Sequence, residues 1–185
     1  MEINLEELAE FLVKAKKATY AGNGREVNPE RPGFTELEYM EGDWYYRDSY
    51  TGYYSGFGDE IVRFKNASKW AMSYRWALPD WAKEDSEKIF SFLKKKLLLV
   101  EQKYPFRGPV DENYPDGRIR YRYFIDITPK PSILPTYPPL INFYGTEKIV
   151  GISSNKPFYH GKFFGGLIIP KQPEGIFPPP NGATD

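Results

Sequence analysis

From Leu37 to Tyr74 the chain is a succession of short aromatic-rich runs parted by glycine and asparagine. That is the pattern of antiparallel strands joined by tight turns. Strands are expected near 36–40, 43–50, 59–65 and 68–76. Within them the stretch YYRDSYTGYYSGFGDE, residues 45–60, concentrates tyrosines, three glycines and three carboxylates. It reads either as a strand and turn that pack a core or as the wall of a pocket.

Two helices flank this sheet. Asn4 is a good N-cap with Glu7 three residues on, and Ile3 and Leu8 stand where a hydrophobic staple belongs. Leu5, Leu8, Leu12 and Ala15 then recur at helical spacing, with glutamates in the first turn and Lys14, Lys16 and Lys17 in the last. Gly22 and Gly24 stop the helix. A second helix is expected from Asp80 or Asp85 to Val100, burying Ile89, Phe92, Leu93, Leu97 and Val100. Beyond it, Pro115-Asp116-Gly117 reads as a turn and Arg118 to Ile127 as a strand with Arg118, Arg120 and Arg122 on one face. A proline-rich bridge cannot be a central strand. Further strands are expected near 140–144, 147–152, 157–164 and 166–169.

A faint internal repeat relates Phe57-Gly58-Asp59-Glu60-Ile61-Val62 to Tyr144-Gly145-Thr146-Glu147-Lys148-Ile149. Each copy precedes a turn and a second aromatic strand. The expected architecture is therefore α+β: a curved antiparallel sheet of two related hairpin halves with two main helices packed on it. One domain spans 1–170, followed by a proline-rich tail over 171–185.

Composition narrows the chemistry. The 185 residues contain no cysteine and one histidine, which removes disulfides, thiol nucleophiles and histidine-rich zinc sites. Basic and acidic residues balance at 25 each, so no overall field draws the chain to nucleic acid or anionic lipid. The acidic, amphipathic start MEINLEELAE is unlike a signal peptide, and no run approaches the length of a membrane span. A cytoplasmic location is expected, with no membrane partner and no cofactor. High charge, many prolines and absent cysteine are compatible with a heat-loving source.

Several constellations read as structural before they read as functional. Ala21-Gly22-Asn23-Gly24 follows a helix instead of opening one, so it is a C-terminal cap and loop, not a nucleotide fingerprint. The Arg118–Arg122 face reads as solvated charge before it reads as a nucleic-acid surface. His160, lacking a second histidine, reads as a structural residue. The opening stretch is the stronger candidate. On a strand, Asp48 shares a face with Tyr46 and Tyr50, and Glu60 lies on the adjacent strand. Trp70, Met72 and Tyr74 line one face of the next and supply stacking area. Apolar walls with a few polar anchors are what small-molecule sites contain. The competing reading has Asp48 and Ser49 capping a turn while Glu60 bonds a neighbouring tyrosine or arginine.

The segments FLVKAKKATYAGNG, LEYMEGDWYYRDSYTG, FGDEIVRF, WAMSY, YPFRGP and FYHGKFFGG together resemble an uncharacterised prokaryotic family of unknown function, found alone or C-terminal to helix-turn-helix DNA-binding domains. The resemblance runs from Phe11 to about Gly166 and brings no activity. It marks Tyr20, Gly22, Gly24, Ser49, Gly58, Met72, Arg107 and Gly166 beside the residues above, and implies a sensor or effector domain. The expected ligand-binding set is Tyr46, Asp48, Tyr50, Glu60, Trp70, Tyr74 and Arg107. The favoured function is a non-enzymatic small-molecule-binding or sensor-like module. The rivals are a hydrolase-type enzyme using Asp48 and Glu60, and a protein or nucleic-acid interaction module using the Arg118–Arg122 face.

Overall fold

The computed structural model describes residues 3–109, 121–128 and 138–170. Helix α1 (Leu5–Ala18) begins where the Asn4 side-chain oxygen accepts from the Glu6 and Glu7 amides, at 2.9 and 3.4 Å. Glu7 returns the contact to the Asn4 side-chain amide at 3.2 Å, a variant of the expected capping box. The helix ends at Thr19. The chain then folds back so closely that a Cβ on Gly22 or Gly24 would overlap the Lys17 or Ala18 carbonyl.

The strands β1 (Glu26–Val27), β2 (Thr35–Glu41), β3 (Trp44–Gly52), β4 (Ser55–Phe64) and β5 (Ala67–Ala77) follow. A 3-10 turn over Asp80–Asp85 leads into α2 (Ser86–Leu97). After it come β6 (Tyr121–Thr128), a one-turn helix α3 (Pro138–Ile141), β7 (Asn142–Gly151) and β8 (Pro157–Leu167). The strands form one antiparallel sheet in the order β1-β2-β3-β4-β5-β8-β7-β6, an α+β fold with α1 and α2 on the same face. Every residue of the expected α2 stripe is buried, Ile89, Phe92, Leu93, Leu97 and Val100 alike. Among the described residues no helix is long and apolar enough to cross a membrane.

The strands are longer than their glycines suggest. β4 starts at Ser55, so Gly56 and Gly58 lie within it and the turn is confined to Gly52–Ser55. The four short strands expected after residue 139 are two long ones, with Gly145 inside β7 and Gly165 inside β8. These glycines make room for side chains that cross the strand. A Cβ on Gly58 would stand 2.5 Å from the Tyr74 ring, and one on Gly145 2.5 Å from the Phe163 ring. The turn at Pro115–Gly117, the Arg118, Arg120 and Arg122 side chains, the bridge over 129–137 and the tail over 171–185 lie outside the described residues.

The sequence repeat is structural. Its copies fall on β4 and β7, the middle strands of two meanders, β3-β4-β5 and β6-β7-β8. The meanders join through β5 and β8, where Tyr74 faces Phe163. Antiparallel pairing of their last strands relates the halves by an approximate two-fold. Even the irregularities agree: a register shift follows Val62 in one half and Ile149 in the other, each two residues past the repeat's glutamate. By the same correspondence Glu60 matches Glu147, Tyr46 matches Tyr123, Tyr74 matches Phe163, and Asp48 matches Ile125.

Candidate functional site

Two hydrophobic clusters share the helical face, one under α1 and one under α2, and Tyr74 packs against both. Between them lies a cavity of about 260 Å³. Its floor is the inward face of β3–β5, carrying Tyr46, Asp48, Tyr50, Glu60, Tyr74 and Trp76. The far end of α1 supplies Lys16, Thr19 and Tyr20; α2 supplies Phe90, Leu93 and Lys94. Arg107, from the segment after α2, and Tyr159 from β8 complete it.

Asp48 and Glu60 are directly opposite one another on β3 and β4. Both are buried, at 4% and 3% exposure. Glu60 has a cation of its own, the Lys16 ammonium from α1. Its counterpart Glu147 likewise holds Arg107 through two contacts and accepts from the Tyr123 and Tyr159 hydroxyls at 2.8 and 2.7 Å. Asp48 differs. Among the described residues its one hydrogen bond comes from the Tyr74 hydroxyl, at 2.6 Å. In the other half the matching pair is apolar, Ile125 and Phe163.

The charges follow from this packing. Burial is the main force on the Asp48 carboxyl, joined by the Glu60 charge, and pushes it up to about 7; the Tyr74 hydrogen bond, Lys16 and Arg107 oppose the rise. Burial also lowers the Lys16 ammonium against the pull of Glu60. The Tyr46 and Tyr74 phenols are raised well above their usual value, first by burial and then by the two acids. At the mouth the Lys94 ammonium donates to Asn23 Oδ1 at 2.8 Å and stands 4.7 Å from the centre of the Tyr20 ring. Among the described residues no group of histidine, aspartate and glutamate side chains is arranged to hold a metal ion.

A family model described as a domain of unknown function, DUF5680, matches residues 48–168. The chain belongs to the DUF5680 family. No curated protein and no solved structure matches it significantly. The DUF5680 match starts at Asp48 and takes in β4, β5, α2 and the second meander. The α1 side of the cavity, with Lys16, Thr19 and Tyr20, precedes it.

Of the residues singled out from the sequence, Tyr46, Asp48, Tyr50, Glu60, Tyr74 and Arg107 come together around the DUF5680 cavity. Trp70 does not. It is fully buried against Phe143, ring centres 5.8 Å apart, and its Nε1 finds no acceptor among the described residues. Neither Asp48 nor Ser49 caps a turn; both are mid-strand. His160 is exposed on β8, outside the cavity. The expected ligand-binding set omits Lys16, Tyr20, Trp76, Phe90 and Tyr159, of which the resemblance marks Tyr20. Lys16 left a signal, because it falls one helical turn beyond Leu12 and so on the buried side of α1.

Gly58 positions the site. A Cβ there would meet Tyr74 Cζ and Oη at 2.5 Å and the Ser49 carbonyl at 2.7 Å, and the backbone contact cannot yield. Gly58→Ala is expected to push the phenol off Asp48 and destabilise the domain by about 1–3 kcal/mol. A melting curve checks it; a Tm within 1 °C of wild type (about 0.3–0.5 kcal/mol at this size) would show that the ring is not confined.

Proposed function

We propose that this domain binds a small organic molecule in the aromatic cavity, with Asp48 as its polar anchor, and releases it unchanged. The comparison between the halves carries the reading. Each half places a buried glutamate in the same position and neutralises it, Glu60 with Lys16 and Glu147 with Arg107. The first half adds a second acid and a phenol where the other has isoleucine and phenylalanine. The fold closes around Ile125 and Phe163 without them, so the Asp48–Tyr74 pair is surplus to folding and faces open space. Buried acids without a cation of their own are costly, and are retained where they act. Ligand occupancy by such a module serves sensing, in line with a sensor-like role.

A thermal-shift screen of metabolites, nucleotides, sugars and amines tests this, run beside the double variant Asp48→Ile/Tyr74→Phe. That variant copies the twin half, and is expected to fold at no loss of stability because a buried polar pair is exchanged for apolar groups of similar shape. Wild type at a ligand concentration 100 times Kd should gain about 2.7 kcal/mol. The double variant should gain none. A screen without hits, or hits that persist in the variant, would contradict the reading.

A second reading, acid–base turnover at Asp48, has one observation of its own: a carboxyl pushed up to about 7, where proton transfer is efficient. Against a two-carboxylate hydrolase stands the Glu60–Lys16 ion pair, which occupies the second acid. Recovery of the bound molecule unaltered after prolonged incubation separates the two.

A further inference from the structure

The charged groups around the cavity are unequally served. Lys16 and Arg107 face it with their charge already spent on Glu60 and Glu147. Lys94 stands at the partly exposed rim, tied to Asn23. Asp48, at 4% exposure, has one oxygen on the Tyr74 hydroxyl and, among the described residues, no ion pair. The site thus holds an acceptor in need of a charged donor and, among the described residues that line it, no buried cation left over for an anionic guest. Beside this acceptor are the rings of Tyr50, Tyr74 and Trp76, with Phe90 across the cavity on α2. Tyr74 and Trp76 lie at 28° to one another, and Tyr50 meets Trp76 edge-on at 6.3 Å. Aromatic faces attract cations, and desolvation strengthens that attraction. The rim already displays it, with the Lys94 ammonium over the Tyr20 ring.

We infer that the ligand class is a small organic cation, a primary or secondary amine bearing one aryl or alkyl group, whose ammonium donates to Asp48 while its apolar part lies among Tyr50, Trp76 and Phe90. The inference rests on the ligand-binding reading above. The volume limits the guest: about 260 Å³ is just below the roughly 300–1,000 Å³ of pockets for drug-sized molecules. An anion in the same place would lie beside Asp48 and Glu60.

Calorimetric titration at pH 8 with three matched probes, 2-phenylethylamine, 2-phenylethanol and 3-phenylpropanoate, tests the class. Short alkylamines extend the series. The amine is expected to bind at least about tenfold more tightly than the alcohol, and Asp48→Asn to remove that margin. Proton linkage gives an independent measurement on the unaltered chain. Asp48 is faced by Glu60 from β4, Tyr74 from β5, Lys16 from α1 and Arg107 from the segment after α2, with Tyr46 and Tyr50 beside it on β3. An ammonium bound there requires the carboxylate. Titrations at pH 6 in buffers of different ionisation enthalpy should therefore report release of up to about one proton, and affinity should rise about tenfold per pH unit until the carboxyl has ionised. Tightest binding of the propanoate, equal amine affinity in Asp48→Asn, no proton release, or no binding by any amine would each overturn the inference. Hits of another chemistry that vanish in Asp48→Ile/Tyr74→Phe would leave the ligand-binding reading standing without it. A screen with no hits removes both.

Discussion

At pH 8 the Asp48→Asn variant is expected to melt well above the wild-type protein. A change that removes a buried charge usually breaks an ion pair, but here it removes a charge that has no ion pair among the described residues. The folded carboxyl is raised from 3.8 to about 7, first by burial and then by Glu60. At about 1.4 kcal/mol per tenfold change, keeping it ionised costs the folded state on the order of 4 kcal/mol. The sign follows from linkage: with the folded value above the unfolded one, the acid's contribution is fully present below about pH 4 and is lost as pH rises through about 7. Asparagine keeps the acceptor for Tyr74 and offers Glu60 a donor. The gain should correspond to about 8–16 °C in Tm at pH 8 for a domain of this size, and more than half of it should vanish by pH 5. Melting curves at pH 5, 6.5 and 8 check both statements. A variant less stable than wild type at pH 8 would mean that Asp48 is a structural acid.

Glu147→Ala has the opposite sign and comparable size. Glu147 is 2% exposed, and its two oxygens receive Arg107, Tyr123 and Tyr159 together. Truncating it leaves a guanidinium at 7% exposure without a counter-charge and two buried hydroxyls without an acceptor. Removing one partner of a buried pair costs about 3–5 kcal/mol, or roughly 6–20 °C in Tm here. The double change Arg107→Met/Glu147→Leu should recover the part of that loss owed to the unpaired guanidinium, while the Tyr123 and Tyr159 hydroxyls still lack their acceptor. Urea unfolding of the three proteins measures it. A single variant within 1 kcal/mol of wild type would refute the closed network. Together the two acids separate a group that holds the fold from one that the fold tolerates.

What the sequence disclosed follows the range of each signal. The α2 stripe and the cap at Asn4 are set within a few residues, and the chain states them openly. Asp48 and Glu60 face one another because β3 and β4 are consecutive and joined by a short turn, so alternation alone sets them on one face. The limits of β4, β7 and β8 were hidden because glycine normally marks a turn. Here its missing Cβ serves a ring on the neighbouring strand, Tyr74 over Gly58 and Phe163 over Gly145. The face that Trp70 shares with Met72 and Tyr74 suggests a site, yet it also meets the second half: Trp70 pairs with Leu167 on β8 and stacks on Phe143. No local pattern foretells a partner brought from so far along the chain. Lys16 was hidden for a related reason. Its place in the last turn of α1 explains a lysine through the helix dipole, and its spacing from Leu12 marks the buried side but not the acid on β4 that its ammonium meets.

The ionisation of Asp48 is the point on which the account turns, and an NMR titration of its side-chain carboxyl carbon measures it directly. In the free protein the midpoint should lie near 7, and saturating 2-phenylethylamine should draw it down by more than one pH unit as the ammonium stabilises the carboxylate. A midpoint near 4 in the free protein, unmoved by the amine, would mean that Asp48 is already neutralised within the fold and that the cavity has no anchor.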